Sequence, residues 1–231
     1  MSAALSAALS ASLSAPRLIT IVALLALITA CSTTSPTDKR PLILPPKSPP
    51  LSEQERWAAR LNAMSAQKDW RVRGKVAYRL PDDAGSASLD WQQTGPQSEL
   101  RLSGPLGVGS TEIRNEGALL GVRRDGIERL YPADAAPWLP GDTLLPVPVD
   151  SIGHWLRGVP DPALPVTLLN VDFGAEAGTD TAVARRIEQN GWVIGYEDYQ
   201  DVQGLPMPAR LRLENPDANL NLRVILRVWE L

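Results

Sequence analysis

Apolar and polar side chains alternate along the stretch Trp70–Leu80. A period of two residues over this length predicts a long, half-buried β-strand. Shorter alternating runs follow it, and the turn sequences Arg124-Asp125-Gly126 and Asn190-Gly191 predict tight hairpins between neighbouring runs. The pattern therefore predicts a mainly β protein, an antiparallel meander of the kind found in barrels and sandwiches.

Two segments have helical spacing instead. Ser52-Glu53-Gln54-Glu55 is a capping box, which predicts a helix from about Glu53 to Gln67. Val149–Arg157 carries its apolar residues on one helical face, and Gly158 ends that helix. A further helical turn is predicted near Ala133–Trp138. Because a short helix buries only one stripe of its surface, we expect these pieces to cover one face or mouth of the sheet.

The N-terminal region determines the compartment. Arg17 precedes an apolar run, Leu18–Leu27, which is shorter than a membrane span and fits a secretory signal peptide. The run ends in Ile28-Thr29-Ala30-Cys31, which resembles a bacterial lipobox and implies cleavage before a lipidated Cys31. The alternative is a plain secretory signal followed by an incidental free cysteine. Ser32 follows Cys31, where Gram-negative lipoproteins retained in the inner membrane carry Asp, so the resemblance implies an outer-membrane address.

A proline-rich segment separates this cysteine from the predicted strands. Ser32–Pro50 contains six prolines, and such a segment forms an extended tether rather than a core. We therefore predict three parts: a lipoprotein signal peptide over 1–30, the lipidated cysteine and tether over 31–51, and a single β-barrel and lid domain over 52–231.

Composition and motifs argue against several functions. A net charge of −3 gives no electrostatic reason to expect a nucleic-acid partner. One cysteine and one histidine exclude an internal disulfide and a Cys/His zinc cluster. The glycine-rich loop near Gly104 lacks the lysine of a phosphate-binding loop, and His154 beside Trp155 fits a partly buried polar residue better than a general base. We therefore expect neither an enzyme nor a cofactor or metal.

The loop Gly104-Pro105-Leu106-Gly107-Val108-Gly109 has an apolar centre between two strand-like runs. Loop tips normally face water, so an apolar tip has two explanations. Leu106 either folds back onto the core or projects into an apolar partner such as a bilayer. Local sequence favours the first explanation.

Six short motifs occur in a fixed order behind the lipobox. They are Trp70-Arg71-Val72-Arg73-Gly74-Lys75, Trp91-Gln92-Gln93, Gly104-Pro105-Leu106-Gly107, Trp155-Leu156-Arg157-Gly158-Val159-Pro160, Leu205-Pro206-Met207-Pro208, and a terminal strand ending in Trp229. From about Glu53 to the C-terminus this ordered set resembles the LolB family of outer-membrane lipoproteins. The resemblance implies a half-open antiparallel β-barrel of about ten or eleven strands, covered by a lid of short α-helices and enclosing an apolar cavity.

The resemblance also implies a function. Members of the family accept triacylated lipoproteins from a LolA-type periplasmic carrier and insert them into the inner leaflet of the outer membrane, without nucleotide or cofactor. Leu106 would be the protruding residue needed for insertion, in a loop with Gly104, Pro105, Gly107 and Val108. We expect a monomer. The alternation pattern supplies inward-facing candidates for the acyl-chain cavity and the lid: Val72, Val76, Leu89, Trp91, Leu100, Leu102, Ile113, Ile152, Trp155, Leu156, Ile194, Leu222, Val224 and Leu226.

Two other classes stay open from the residues alone. The first is a structural or assembly lipoprotein whose sheet docks onto another outer-membrane protein. The second is a periplasmic enzyme, such as a lipid-modifying hydrolase. Saturable binding of a hydrophobic probe would separate a carrier from a docking protein.

Overall fold

Eleven antiparallel strands and two helices make up the part of the protein that the computed structural model describes, namely residues 51–104, 109–115, 119–132, 148–174 and 182–231. The elements in chain order are α1 (Glu53–Ala66), β1 (Asp69–Arg79), β2 (Ala84–Thr94), β3 (Gln97–Ser103), β4 (Ser110–Asn115), β5 (Leu119–Arg124), β6 (Ile127–Pro132), α2 (Val149–Leu156), β7 (Val166–Asp172), β8 (Val183–Gln189), β9 (Trp192–Val202), β10 (Leu205–Asn215) and β11 (Leu220–Glu230). All of them lie in one unit, Ser48–Leu231.

The strands form one open sheet in the order β6-β5-β4-β3-β2-β1-β11-β10-β9-β8-β7. Consecutive strands pair as hairpins, and β1 joins the two halves by pairing with β11. Within the described residues, β6 and β7 each pair with one neighbour and form the two edges. The predicted mainly β, antiparallel class and the strand number are confirmed.

Both predicted hairpin turns are present. Asp125 and Gly126 have φ values of 50° and 78°, and Asn190 and Gly191 have values of 49° and 76°. Two successive positive φ angles are what a two-residue type I′ turn requires, and Asn, Asp and Gly adopt them most readily. The local sequence therefore determines these two connections.

One strand is missing from the sequence-based prediction. The sequence patterns assign no element to the segment between Pro165 and the strand that precedes Asn190-Gly191, yet this segment contains β7. The pairing of β7 with β8 has register shifts between Val166 and Leu168 and between Asn170 and Val171, which break the period-two pattern. β7 is also an edge strand with mostly exposed side chains, so little burial pattern marks it. The helical turn predicted over Ala133–Trp138 lies outside the described residues.

The sheet curls around α2. Asn115 of β4 donates a hydrogen bond to Asp150 at the start of α2 (2.7 Å), and Trp155 near its end donates to Gln189 of β8 (3.0 Å). β4 and β8 are separated by seven strand spacings in the sheet order, which is about 34 Å in a flat sheet. The eight residues of α2 extend only about 12 Å. Both halves of the sheet reach one short helix only because the sheet is strongly curved.

Tryptophan side chains fill much of the space between sheet and helix. The ring of Trp70 stacks on that of Trp91, with centroids 6.1 Å apart, and also packs against Trp229 at 5.7 Å. On the other side Trp155 packs against Trp192 at 5.9 Å. All five are buried. Large rings fill the space between sheet and helix with few side chains, and these five are most of the seven tryptophans of the chain.

A glycine permits the central strand pair to form. The pairing of β1 with β11 has a register shift between Arg73 and Gly74. A Cβ atom at Gly74 would lie 2.1 Å from the carbonyl oxygen of Ile225, which is far inside contact distance. The two backbones approach this closely only because position 74 has no side chain.

The side of β1 that faces solvent is basic, and two of its arginines pair with carboxylates. Arg71 donates two hydrogen bonds to Asp90 of β2 (2.8 and 2.6 Å), and they hold the pKa of Asp90 below its ordinary value. Arg73 pairs with Glu230 of β11. Exposed pairs of this kind contribute little stability, and they leave the inner face of the sheet as the main apolar surface.

Candidate functional site

The inner face of the curled sheet brings together the residues predicted for the cavity and lid. Those from the strands and from α2 belong to one continuous apolar cluster, and all of them are buried except Leu222, which is half-buried at its margin. Trp155 has no exposed surface and Leu156 only 1%. The apolar face of α2 thus lies against the face of the sheet that was predicted to bind acyl chains.

A buried polar network fixes α2 to the β8–β9 half of the sheet. The amide oxygen of Gln189 accepts hydrogen bonds from the indole of Trp155 (3.0 Å) and the main-chain N–H of Asp161 (2.9 Å). The Tyr196 hydroxyl donates to the carbonyl of Trp155 (2.8 Å), and burial raises the pKa of Tyr196 well above its ordinary value. Tyr196 is therefore a neutral donor. The carboxylate of Asp161 accepts from Ser151 of α2 (2.7 Å).

Two buried arginines connect α1 and α2 reciprocally. Arg157, the C-cap of α2, donates to the carbonyls of Met64 (2.7 Å) and Gln67 (3.3 Å) at the end of α1. Arg60 of α1 donates to the carbonyl of Arg157 (2.6 Å) and to Pro206 of β10 (2.6 Å). Each guanidinium thus supplies positive charge at the C-terminal end of the other helix, where carbonyls lack intrahelical partners.

These arginines are unusual in their electrostatics. They are 6% and 9% exposed, and within the described residues their side chains pair with no carboxylate. Burial lowers the pKa of Arg60, and burial together with the charge of Arg60 lowers the pKa of Arg157. A buried cation that is held by carbonyl dipoles and not by a carboxylate is costly. The α1–α2 contact is therefore ordered by directional hydrogen bonds while its net stabilisation is modest.

Gly158 makes the close contact between these groups possible. It follows α2 with a φ of 76°, as the sequence predicted for a helix-ending glycine. A Cβ atom there would lie 3.0 Å from the Tyr199 hydroxyl and 3.2 Å from an Arg60 nitrogen. Any side chain at position 158 would therefore strain the backbone and push the arginine away.

His154 is half-buried on α2, in agreement with the sequence-based expectation. Its Nδ1 atom lies 3.4 Å from a guanidinium nitrogen of Arg157. Burial first, and then the positive charge of Arg157, lower the pKa of His154 below 6.5, whereas Asp161 and Asp150 oppose that shift. His154 is thus neutral at neutral pH and borders the helix-to-helix contact.

The remaining predicted site residues are the lipidation site and the residues of the loop between β3 and β4. Gly104 at the end of β3 is half-buried, whereas Cys31, Pro105, Leu106, Gly107 and Val108 lie outside the described residues. Ser103 and Ser110 pair across the base of that loop, so the loop closes a regular β3–β4 hairpin. Its apolar tip stays a prediction.

The enclosed apolar cavity also stays a prediction. A cleft of 590 Å³ lies where β1 and β2 meet β10 and β11, and its lining mixes charged groups with a few apolar ones. Charged residues on its wall are Arg79, Arg212, Glu214 and Arg223. Such a lining does not suit acyl chains, so this cleft does not correspond to the predicted apolar cavity.

Two further observations concern metal binding and membrane-spanning helices. In the described part of the chain, no three His, Cys, Asp or Glu side chains come together in a group that could hold a metal ion. No helix among the described residues is both long and apolar enough to span a membrane.

Sequence reasoning missed Arg60 and the partners of Arg157. A signal was present, because Arg60 lies three residues after Trp57 and four before Met64, on the apolar face of α1. Arg157 likewise interrupts an apolar segment. A charged residue at a core position indicates a buried polar contact, although the sequence cannot tell which carbonyls accept the hydrogen bonds.

Comparison with known proteins identifies the class. The family described as outer membrane lipoprotein LolB matches residues 68–229. A protein named outer-membrane lipoprotein LolB from Alkalilimnicola ehrlichii is 33% identical over 176 residues, covering 76% of this chain and 84% of that protein. Its namesake from Cellvibrio japonicus is 27% identical over 215 residues, covering 91% and 97%. A solved structure of a LolA superfamily protein from Nitrosomonas europaea has 13% identity and a TM-score of 0.46, covering 78% of this chain and 94% of that one.

These relatives define the protein as an outer-membrane lipoprotein with a role in lipoprotein localisation. The matched relatives bear the name of a localisation family and not of an enzyme family. The chain belongs to the LolB family.

Proposed function

We propose that this protein is an outer-membrane acceptor that receives triacylated lipoproteins from a LolA-type periplasmic carrier and inserts them into the inner leaflet of the outer membrane. It is anchored through a lipidated Cys31 and held on the Pro-rich tether. Acyl chains bind to the inner face of the curled sheet when α2 moves aside as a lid. The transfer uses binding free energy alone, without nucleotide or cofactor.

The position of α2 is the observation that carries this proposal. Its apolar face, with Ile152, Trp155 and Leu156, covers an apolar surface formed by both halves of the sheet. Burying one CH₂ group is worth about 0.8 kcal/mol, so several acyl chains offer a large free energy for replacing one eight-residue helix. Displacing α2 requires breaking a small set of polar contacts, chiefly those of Arg157, Gln189 and Tyr196.

We assign the insertion of lipoproteins into the membrane to the loop between β3 and β4, which contains Leu106. The last pair of the β3–β4 ladder is Ser103 with Ser110, and the loop connects these two residues. Burying one Leu side chain contributes roughly 1.5–3 kcal/mol. This is too little to anchor a protein but enough to orient a domain that is already anchored.

A hydrophobic fluorescent probe tests acyl-chain binding. The soluble domain is expected to bind the probe saturably, and a triacylated lipopeptide should displace it. Absence of saturable binding would contradict the carrier function and favour a docking lipoprotein.

A substitution at the loop tip tests insertion separately. Leu106→Glu is expected to leave folding and acceptance of lipoprotein from the carrier intact while transfer into vesicles falls at least tenfold, because a carboxylate opposes entry into a bilayer. Leu119→Glu is the matched control, since Leu119 is 41% exposed on β5 and away from the loop. If Leu106→Glu unfolds the domain, Leu106 belongs to the core and the insertion role is wrong.

A further inference from the structure

Two buried indole N–H groups in the core have no acceptor among the residues that the structure describes. The Nε1 atoms of Trp70 and Trp91 are inaccessible to solvent and make no hydrogen bond to that part of the chain. The two rings stack nearly parallel, at 14° with centroids 6.1 Å apart. By contrast, the indole of Trp155 donates to Gln189 and that of Trp229 donates to the carbonyl of Pro208 (3.1 Å). An unsatisfied buried donor is costly, and native structures contain few of them.

Both indoles lie against α2 near Gly153. A methyl group placed at Gly153 would touch Cζ2 of Trp91 at 3.5 Å and Cζ2 of Trp70 at 3.9 Å. Cζ2 is two bonds from Nε1, so this stretch of helix packs against the nitrogen-bearing side of both rings. The carbonyl of Gly153 accepts a hydrogen bond from Nε of Arg157 (3.2 Å). Among the described residues, α2 therefore packs against the two indoles and accepts no hydrogen bond from either.

We propose that Trp70 and Trp91 form a binding site for the pair of ester carbonyl oxygens of a diacylglycerol-type group, exposed when α2 moves aside. This inference rests on the proposed function. It adds a site for the linkage region, where the acyl chains of a ligand join its glycerol, to the apolar surface proposed for the chains themselves.

The chemistry of the pocket favours this ligand. Apart from the guanidinium of Arg157, the surroundings of both rings are apolar. The unpaired groups are neutral donors, so the matching partner is a neutral acceptor attached to hydrocarbon. An ester carbonyl accepts hydrogen bonds and donates none. The guanidinium of Arg157, 5.4 Å above the Trp70 ring, donates to carbonyls of the chain itself, which leaves the indoles as the donors for a ligand.

The site also explains how ligand specificity and lid opening are coupled. In the closed state the two N–H groups are desolvated and unpaired. A ligand with acceptors at the right place relieves that penalty, whereas a plain hydrocarbon chain does not. The open, ligand-bound state thus gains hydrogen bonds that the closed state lacks, which favours ligands bearing ester groups.

The test compares a synthetic triacylated lipopeptide with its analogue in which both ester linkages are ethers. We expect the wild-type domain to bind the ester form more tightly, by about threefold to tenfold per hydrogen bond. In the double variant Trp70→Phe/Trp91→Phe the ester form and the ether form should bind equally tightly, whatever the change in their common affinity. Trp192→Phe, which changes a buried ring whose N–H is not among the unpaired ones, should keep the preference.

An isosteric replacement guards against effects of lost ring volume. Benzothienylalanine at positions 70 and 91 keeps the ring shape and replaces N–H by sulfur, and it should also remove the ester preference. A preference that survives in both variants, or equal binding of ester and ether by the wild type, would overturn the proposed site while leaving the carrier function standing. Binding of neither ligand would overturn both proposals. Competition by a short-chain diacyl phospholipid shows whether lipids other than lipoproteins use the same site.

Discussion

Replacing Arg157 by methionine tests whether the arginine contacts hold α2 in place. The guanidinium donates to Met64, Gln67 and Gly153 carbonyls at 2.7, 3.3 and 3.2 Å. Methionine is similar in length and apolar, so Arg157→Met removes the charge and the hydrogen bonds and keeps most of the packing.

The expected change in the free energy of unfolding is the sum of opposing contributions. A hydrogen bond from a charged donor contributes about 1.5–3 kcal/mol, and the contact with the Trp70 ring adds roughly 0.5–2 kcal/mol. Two of the three bonds are long, and the variant no longer has to bury a cation, which offsets several kcal/mol. We expect a net loss of about 2 kcal/mol, which lowers the Tm of a domain of this size by about 4–8 °C.

The same variant should bind ligands better. If the closed state holds α2 over the apolar surface, weakening it by about 2 kcal/mol raises the fraction of open protein by as much as thirtyfold, and the apparent Kd for a hydrophobic probe falls accordingly. Denaturant unfolding and probe titration on the same samples measure both effects.

Controls make the outcome specific. Arg186→Met changes an exposed arginine paired with Glu188 and should alter stability by less than about 0.5 kcal/mol. Because Arg60 donates to the carbonyl of Arg157, Arg60→Met should combine with Arg157→Met non-additively. If Arg157→Met matches the wild type in both Tm and probe affinity, the contacts of Arg157 do not hold α2 in place. Lower stability with weaker probe binding would assign Arg157 to the ligand surface.

Two more substitutions test the fold and its response to pH. Gly74→Ala should destabilise the domain by about 1–3 kcal/mol, because its Cβ would lie 2.1 Å from the Ile225 carbonyl oxygen. Gly195→Ala is the control, since a Cβ there would have nothing within 4 Å, and it should be neutral or slightly stabilising. Equal effects of the two substitutions in chemical denaturation would contradict the close approach of the two strands at Gly74. Folding lowers the pKa of His154 from its ordinary value of 6.5, so the unfolded chain binds a proton at a higher pH than the folded chain does. The free energy of unfolding should therefore decrease as the pH falls below about 6.5. His154→Gln should remove that part of the pH dependence, and an unchanged profile would show that other groups cause it.

The rest of the fold follows from local patterns to different degrees. The capping box at Ser52 forms as predicted, with the Ser52 N–H donating to Glu55 at 2.8 Å and the Glu55 N–H donating back at 3.3 Å. α1, α2 and β1 lie within one or two residues of their predicted bounds. Such features depend on neighbours three or four residues apart, so the sequence displays them directly. β10, by contrast, already begins at Leu205, in a proline-containing segment that the sequence pattern does not mark as a strand. β7 was not predicted from the sequence, because its pairing with β8 is irregular and most of its side chains are exposed.

Local sequence patterns specify the periodicity of the strands, the helix ends, the turns and the ordered motifs that identify the family. They do not specify that the sheet curls around α2, that Arg60 and Arg157 each cap the other's helix, or that the indoles of Trp70 and Trp91 lack an acceptor among the described residues. Alternation shows which residues are buried but not what they face. Contacts between residues about a hundred positions apart, such as Arg157 with Met64, depend on how the whole sheet closes.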